Sequence, residues 1–74
     1  MNAKVLEIIN SILVAKGLDF SDSINAETKL REDLGLTSFD LAELTVKIED
    51  EYDIDIFEDG LVNTVGEIFA KLEK

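Results

Sequence analysis

The residues best placed to do chemistry in this chain are two neighbouring hydroxyl residues, Thr37 and Ser38, which precede an amphipathic stretch. Thr37 followed three residues later by Asp40 is typical of a helix N-cap, here with a short acid in the reciprocal role. Ser38 is then expected in the first helical turn, near backbone N–H groups without intrahelical partners. A phosphodiester on its hydroxyl would be stabilised by the helix dipole by about 0.3–1 kcal/mol. A serine at a helix start is also commonly a simple capping residue, so both interpretations stay open.

The chain lacks the residues for most catalysis of its own. It has no histidine and no cysteine, which excludes Ser-His and Cys-His nucleophile pairs, disulfides and thiolate metal sites. No acid is embedded in apolar sequence in a way that predicts a strongly raised pKa. Asp53 and Asp55 would fill two positions of a calcium loop, but Glu58 stands where that loop needs glycine. We therefore expect neither an enzyme nor a metal site.

Acidic residues dominate the charge of the chain. Seventeen Asp and Glu against seven Lys and Arg give a net charge of −10, and between Glu32 and Asp59 the only base is Lys47. This charge argues against nucleic acid or an anionic membrane surface as a partner. The acidic surface either keeps the protein in solution and does nothing more, or steers it toward basic patches on several partners.

Hydrophobic periodicity predicts an all-α fold in one domain over residues 1–74, a small four-helix bundle with a long loop after its first helix. Gly17 is a natural stop for the first helix, and Thr64 with Glu67 forms a capping box before the last one. The third helix would be short and weakened by Gly60. The helices are predicted at about residues 3–16, 37–52, 57–62 and 64–73.

Residues 18–36 have no sustained period and are predicted to form the long loop. A loop of this length inside so small a domain is often functional, and Gly35 is expected to let it turn into the second helix. The apolar residues expected to pin it to the core are Phe20, Ile24, Leu30, Leu34 and Leu36. No apolar run reaches the roughly 20 residues that span a bilayer, and the start lacks a signal-peptide pattern. We expect a cytoplasmic monomer that does not insert into membranes.

Residues 28–41, TKLREDLGLTSFDL, resemble the signature of the acyl carrier protein family, in which an EDLG segment runs into x-D-S-L before an acidic helix. The stretch Ile48–Tyr52 is similar to the end of that family's recognition helix. The resemblance implies a non-catalytic four-helix carrier. A phosphopantetheinyl transferase would attach 4′-phosphopantetheine from coenzyme A to Ser38. The thiol of that arm would hold acyl groups as thioesters, for fatty acid or specialised lipid or polyketide-type biosynthesis.

The resemblance also implies roles for residues of the second helix and the core. Asp40, Glu43 and Asp50 lie on a stripe expected to face water, where they would meet basic patches on loading ligases, synthases and transferases. Phe39 is ambiguous, because it could also pack on the loop as a core residue. The predicted partner contacts are Thr37, Phe39, Asp40, Ala42, Glu43, Val46 and Asp50. The residues predicted to line an acyl pocket are Ile48, Ile56, Leu61, Val65 and Ile68.

Two positions depart from the family's pattern. Thr37 replaces the usual aspartate and Phe39 the usual leucine or methionine, while Lys47 interrupts the acidic face. A negative charge beside the attachment point is therefore lost, and a specialised pathway is as compatible with the sequence as fatty acid synthesis. The alternatives are an aminoacyl carrier, for D-alanine for example, that uses the same serine, and an unmodified acidic helical adaptor.

Overall fold

The computed structural model describes residues 3–19, 21–58, 60 and 62–72, and the regular structure in these ranges is helical. Helix α1 is Ala3–Ala15, α2 is Ser38–Tyr52 and α3 is Val65–Leu72. An isolated antiparallel bridge between Lys29 and Thr64 is the one β feature in this part of the chain. The prediction of an all-α fold is confirmed.

The short helix predicted over 57–62 is not among the described elements. Residues 56–58 form a turn, in which the Asp55 carboxylate accepts a hydrogen bond from the Phe57 N–H at 2.9 Å. Such a bond from an aspartate two residues back stabilises a turn in place of a helix. Asp59 and Leu61 lie outside the described residues. The four-helix bundle is therefore not confirmed, since three helices are described.

Helix α1 ends at the glycine that the sequence marks as its stop. Gly17 adopts a left-handed φ of +85°, its N–H donates to Val14 O at 3.0 Å, and the Leu18 N–H donates to Leu13 O at 2.9 Å. This pair of bonds is the Schellman arrangement, which satisfies carbonyls that the helix leaves without partners.

The three helices and the 18–36 loop share one hydrophobic core, as the predicted stripes require. Ile8, Leu34 and Tyr52 pack half-buried at its margin, and Phe20 lies outside the described residues. The buried residues from the predicted stripes and loop anchors are Val5, Ile9, Ile12, Leu13, Ile24, Leu30, Leu36, Leu41, Leu44, Ile48, Val65 and Ile68.

A buried asparagine that the sequence did not single out fixes the start of the loop. The Asn10 Oδ1 accepts from the Ser21 N–H at 2.7 Å, and its Nδ2 donates to Ser21 O at 3.0 Å and to Leu6 O at 3.2 Å. Asn10 is buried, so its amide provides both backbone groups of Ser21 with partners that water would otherwise supply.

The middle of the loop pairs with the start of α3. The Val65 N–H donates to Thr28 O at 3.0 Å, and the Gly66 N–H donates to Ala26 O at 2.8 Å. A Cβ on Gly66 would lie 2.8 Å from the Ala26 carbonyl oxygen, so glycine permits this close approach. The loop is thus attached to α1 at one point and to α3 at another.

Replacing Asn10 with alanine is expected to lower the free energy of unfolding by about 1–3 kcal/mol, because both backbone groups of Ser21 lose their partners. Urea unfolding measures this. The matched control is Ser11→Ala, since the hydroxyl of the exposed Ser11 only donates a hydrogen bond to Ile8 O within its own helix. Equal stability of the Asn10→Ala and Ser11→Ala variants would contradict the assigned role.

Candidate functional site

The N-terminus of α2 carries the capping box that its sequence predicts. The Asp40 N–H donates to Thr37 Oγ1 at 3.2 Å, and the Thr37 N–H donates to Asp40 Oδ2 at 2.8 Å. Thr37 is therefore the N-cap and Ser38 the first residue of the helix. Two N–H groups that the helix leaves without intrahelical partners are satisfied reciprocally.

Ser38 is exposed at this helix start, and its hydroxyl forms no hydrogen bond to another described residue. The cap is made by Thr37, so the Ser38 side chain is not the N-cap of α2. The Ser38 oxygen lies in the turn where backbone N–H groups and the helix dipole favour a negative charge.

Asp40 does not face water, so this expectation from the helical stripe is wrong. Asp40 is 5% exposed. Its Oδ2 accepts from Lys16 Nζ, from the Thr37 N–H at 2.8 Å and from Thr37 Oγ1 at 2.9 Å. The capping box turns the carboxylate back toward the helix end, where Lys16 from the end of α1 covers it. The hydrogen bond from Lys16, followed by that from the Thr37 backbone, lowers the pKa of Asp40 below its usual value.

The remaining predicted contacts on α2 share one surface, which we call the α2 face: Phe39, Ala42, Glu43, Val46 and Asp50. Phe39 is 78% exposed and Val46 64% exposed, so Phe39 is not a core residue. Ala42 and Asp50 are exposed and Glu43 is half-buried. Residues 39, 43, 46 and 50 follow one another at helical spacing. The α2 face thus combines large apolar side chains with carboxylates.

A cleft of about 250 Å³ opens beside Ser38. Two predicted site residues, Ser38 and Ala42, line it, and the prediction missed the others. Its walls are formed by Arg31, Ser38, Leu41, Ala42, Thr45 and Phe57. Periodicity could have placed residues 38, 42 and 45 on one side of α2. Arg31 and Phe57 belong to other segments, and no local signal in the sequence brings them to this cleft.

The residues predicted to receive an acyl chain lie away from the surface. Ile48, Ile56, Val65 and Ile68 are completely buried and belong to the one hydrophobic core. Leu61 lies outside the described residues. Four residues from α2, the 56–58 turn and α3 are thus brought together in the same cluster, and their role stays a prediction.

The described ranges of the chain contain no group of three or more histidine, cysteine, aspartate or glutamate side chains that could hold a metal ion. None of the three helices is long and apolar enough to cross a bilayer.

The lowered pKa of Asp40 predicts how its contribution to stability changes with pH. A carboxyl with a lowered native pKa stabilises the fold above its ordinary pKa of 3.8, and this stabilisation disappears as pH falls through the native value. Thermal melts from pH 7 to pH 2.5 should show Asp40→Asn melting below the wild type at pH 7, with the gap closing below pH 3.8.

The control for this measurement is Asp50→Asn, which removes an exposed acid of the same helix and should melt close to the wild type at pH 7. A gap between the wild type and Asp40→Asn that stays constant down to pH 2.5 would show that Asp40 does not act through its charge.

Comparison with known proteins agrees with this geometry. The family model described as "Phosphopantetheine attachment site" matches residues 3–72. An acyl carrier protein from Phytoplasma australiense is 38% identical over 72 residues, which cover 95% of each chain. An acyl carrier protein from a Picosynechococcus species is 36% identical over 69 residues, 90% of this chain and 85% of the relative. The chain belongs to the acyl carrier protein family, whose cofactor is a covalently attached 4′-phosphopantetheine.

Proposed function

We propose that Ser38 is the residue that carries the phosphopantetheine arm, and that the chain is a non-catalytic carrier of acyl groups. The observation that supports this best is the free hydroxyl of Ser38. Thr37 makes the cap of α2, so Ser38 lies exposed in the first turn without a hydrogen bond to a described residue. A partner enzyme can reach this oxygen without breaking an interaction that the fold needs.

The surroundings of Ser38 fit the group that the family carries. The N-terminus of α2 favours the negative phosphodiester by about 0.3–1 kcal/mol, and the adjoining cleft offers apolar surface from Leu41, Ala42 and Phe57. A phosphopantetheinyl transferase would move the arm from coenzyme A to the Ser38 oxygen. The arm supplies a terminal thiol, on which acyl groups are held as thioesters.

The α2 face is the proposed docking surface for the transferase and for the enzymes that load and unload the arm. Phe39 and Val46 would be buried on docking, while Glu43 and Asp50 would pair with basic patches. Thr37 lies at the edge of this surface. Asp40 is not part of it, because its carboxylate is buried and bound to Lys16. Exposed apolar side chains of this size, with Glu43 and Asp50 beside them, suit a partner with an apolar centre and a basic rim.

The cargo would be set by the enzyme that loads the thiol. We propose fatty acyl groups or the acyl groups of a specialised lipid or polyketide-type pathway, carried by a cytoplasmic monomer. An aminoacyl carrier would use the same serine and arm. If the acyl chain enters the protein, the cluster of Ile48, Ile56, Val65 and Ile68 is the proposed place, with Leu61 as a further candidate.

Intact-mass measurement tests the attachment site. After incubation with coenzyme A, Mg²⁺ and a broad-specificity phosphopantetheinyl transferase, the wild type should gain one phosphopantetheinyl group and Ser38→Ala none. The matched control is Ser11→Ala, an exposed serine on α1 that should load fully. If no transferase loads the wild type, including those of the native host, the chain is the unmodified adaptor and Thr37 is the first residue to test.

The α2 face predicts which substitutions slow loading without unfolding the protein. Phe39→Ser is expected to lower the kcat/KM of the transferase reaction about tenfold, because about 1.4 kcal/mol of apolar contact is lost on docking. Val46→Ser should have a smaller effect. Both variants should keep a melting temperature close to the wild type, because these side chains are exposed.

The control is Val14→Ser, which removes an equally apolar, 55% exposed side chain from α1 and should load at the wild-type rate. Loading should also slow as salt rises, because exposed charges are screened beyond about 10 Å at 0.1 M. A salt-independent kcat/KM, or equal losses in the Val14→Ser and Phe39→Ser variants, would rule out this docking surface.

A further inference from the structure

Arg31 is held near the start of α2 by the backbone of the loop. The Gly35 N–H donates to Arg31 O at 3.0 Å, and the Leu36 N–H donates to Leu30 O at 3.1 Å. Gly35 has a left-handed φ of +72°, and the completely buried Leu30 anchors the turn in the core. Ser38 follows two residues after Leu36, so the turn brings the Arg31 backbone back toward the helix start.

Arg31 and Ser38 both line the same cleft. Arg31 is exposed and forms no ion pair with another described residue, whereas Lys16 pairs with Asp40 and Lys29 with Glu32 at 3.8 Å. The segment from Glu32 to Asp59 is strongly acidic, yet Arg31, which shares the cleft with Ser38, forms no ion pair with any carboxylate among the described residues. It is a cation beside the position where the cofactor adds an anion.

We infer that Arg31 binds the phosphodiester on Ser38 and so positions the phosphopantetheine arm; this inference rests on the proposed attachment at Ser38. A guanidinium presents parallel N–H groups that match two oxygens of one phosphate. The phosphodiester has two non-bridging oxygens, which Arg31 would bind from the cleft side, while the free N–H groups of α2 would lie on the helix side.

This contact sets a direction for the arm. When its phosphate is drawn toward Arg31, the first part of the pantetheine lies over the cleft, against Leu41, Ala42 and Phe57. Without Arg31 the dipole of α2 still favours a phosphate at the helix start, but it does not determine whether the arm lies over the cleft or away from it. Arg31 therefore acts on the position of the arm and not on the chemistry of the thiol.

Lys47 supplies a matched control for the charge of Arg31. It also forms no ion pair with another described residue and is exposed. It lies nine residues after Ser38 on α2, about 13.5 Å along the helix axis. Lys47→Gln thus removes the same charge far from the phosphate.

The test compares apo and phosphopantetheinylated forms of the wild type, Arg31→Gln, Arg31→Lys and Lys47→Gln. The first readout is the ³¹P NMR chemical shift of the phosphodiester in the native protein relative to the same protein unfolded in urea. This difference should be large in the wild type and in Lys47→Gln, clearly smaller in Arg31→Gln and between the two in Arg31→Lys. In the wild type it should shrink as salt screens the pair.

The second readout is the change in melting temperature when the arm is added. We expect this change to be about 2–4 °C more favourable in the wild type and in Lys47→Gln than in Arg31→Gln, as for an exposed ion pair in a domain of this size. Arg31→Lys keeps the charge without the planar fork and provides a second variant, should Arg31→Gln fold poorly.

The outcomes separate the inference from the proposed function. If intact mass shows no arm on the wild type, the proposed attachment fails and the inference fails with it. If all variants load but Arg31→Gln matches the wild type in ³¹P shift and melting, the attachment stands and the role of Arg31 is overturned. Equal changes in Arg31→Gln and Lys47→Gln would also overturn it, because they would reflect overall charge alone.

Discussion

A single carboxylate, that of Asp40, is the interaction on which the arrangement of the functional site depends. Its Oδ2 binds Lys16 from the end of α1 and two groups of Thr37 at the start of α2. The lysine lies at the negative end of one helix dipole and the aspartate at the positive end of another, so both charges suit their helices as well as each other. Because Thr37 and Asp40 satisfy one another, Ser38 is left exposed between them with a free hydroxyl.

The threonine that departs from the family's pattern fits this network. The Thr37 hydroxyl accepts from the Asp40 N–H and donates to Asp40 Oδ2. An ionised aspartate at position 37 has no hydrogen to donate and would place a second negative charge against a buried one. Lys16 already compensates the charge of Asp40, so the surface next to Ser38 is less acidic than the sequence suggests. Next to the serine, the exposed Phe39 is the largest apolar side chain on this surface.

Features that depend on neighbouring residues, such as helix ends and apolar stripes, were predicted correctly from the sequence. Contacts between segments that are far apart in the chain were not. Caps at Thr37 and Thr64, the stop at Gly17 and the apolar stripes are local signals, and the ends of the three described helices lie within one residue of the predicted ranges 3–16, 37–52 and 64–73. A helical wheel placed Asp40 toward water because it contains no information about Lys16, which is 24 positions earlier in the chain.

Distance along the chain also explains why the sequence did not indicate the roles of Asn10 and Arg31. Asn10 binds Ser21 eleven positions later, and Arg31 reaches the cleft only because a turn closes behind it. The Phe57 N–H donates to the Asp55 carboxylate, a bond that stabilises a turn in competition with a helix. This bond leaves no periodic pattern in the sequence, so Phe57 was predicted to begin a helix.

The way the loop is attached also bears on how a cargo could enter the core. Asn10 holds the loop to α1, and backbone bonds at Val65 and Gly66 hold it to α3. Separating α3 from the loop would break hydrogen bonds, whereas moving Phe57 at the cleft would break mainly apolar contacts. Burial of each CH₂ of an acyl chain contributes about 0.8 kcal/mol of favourable free energy. A chain of a few carbons could therefore offset the free energy lost when one such side chain is displaced. If the acyl chain enters the core as proposed, entry from the cleft, which Arg31 also lines, would therefore be the less costly route.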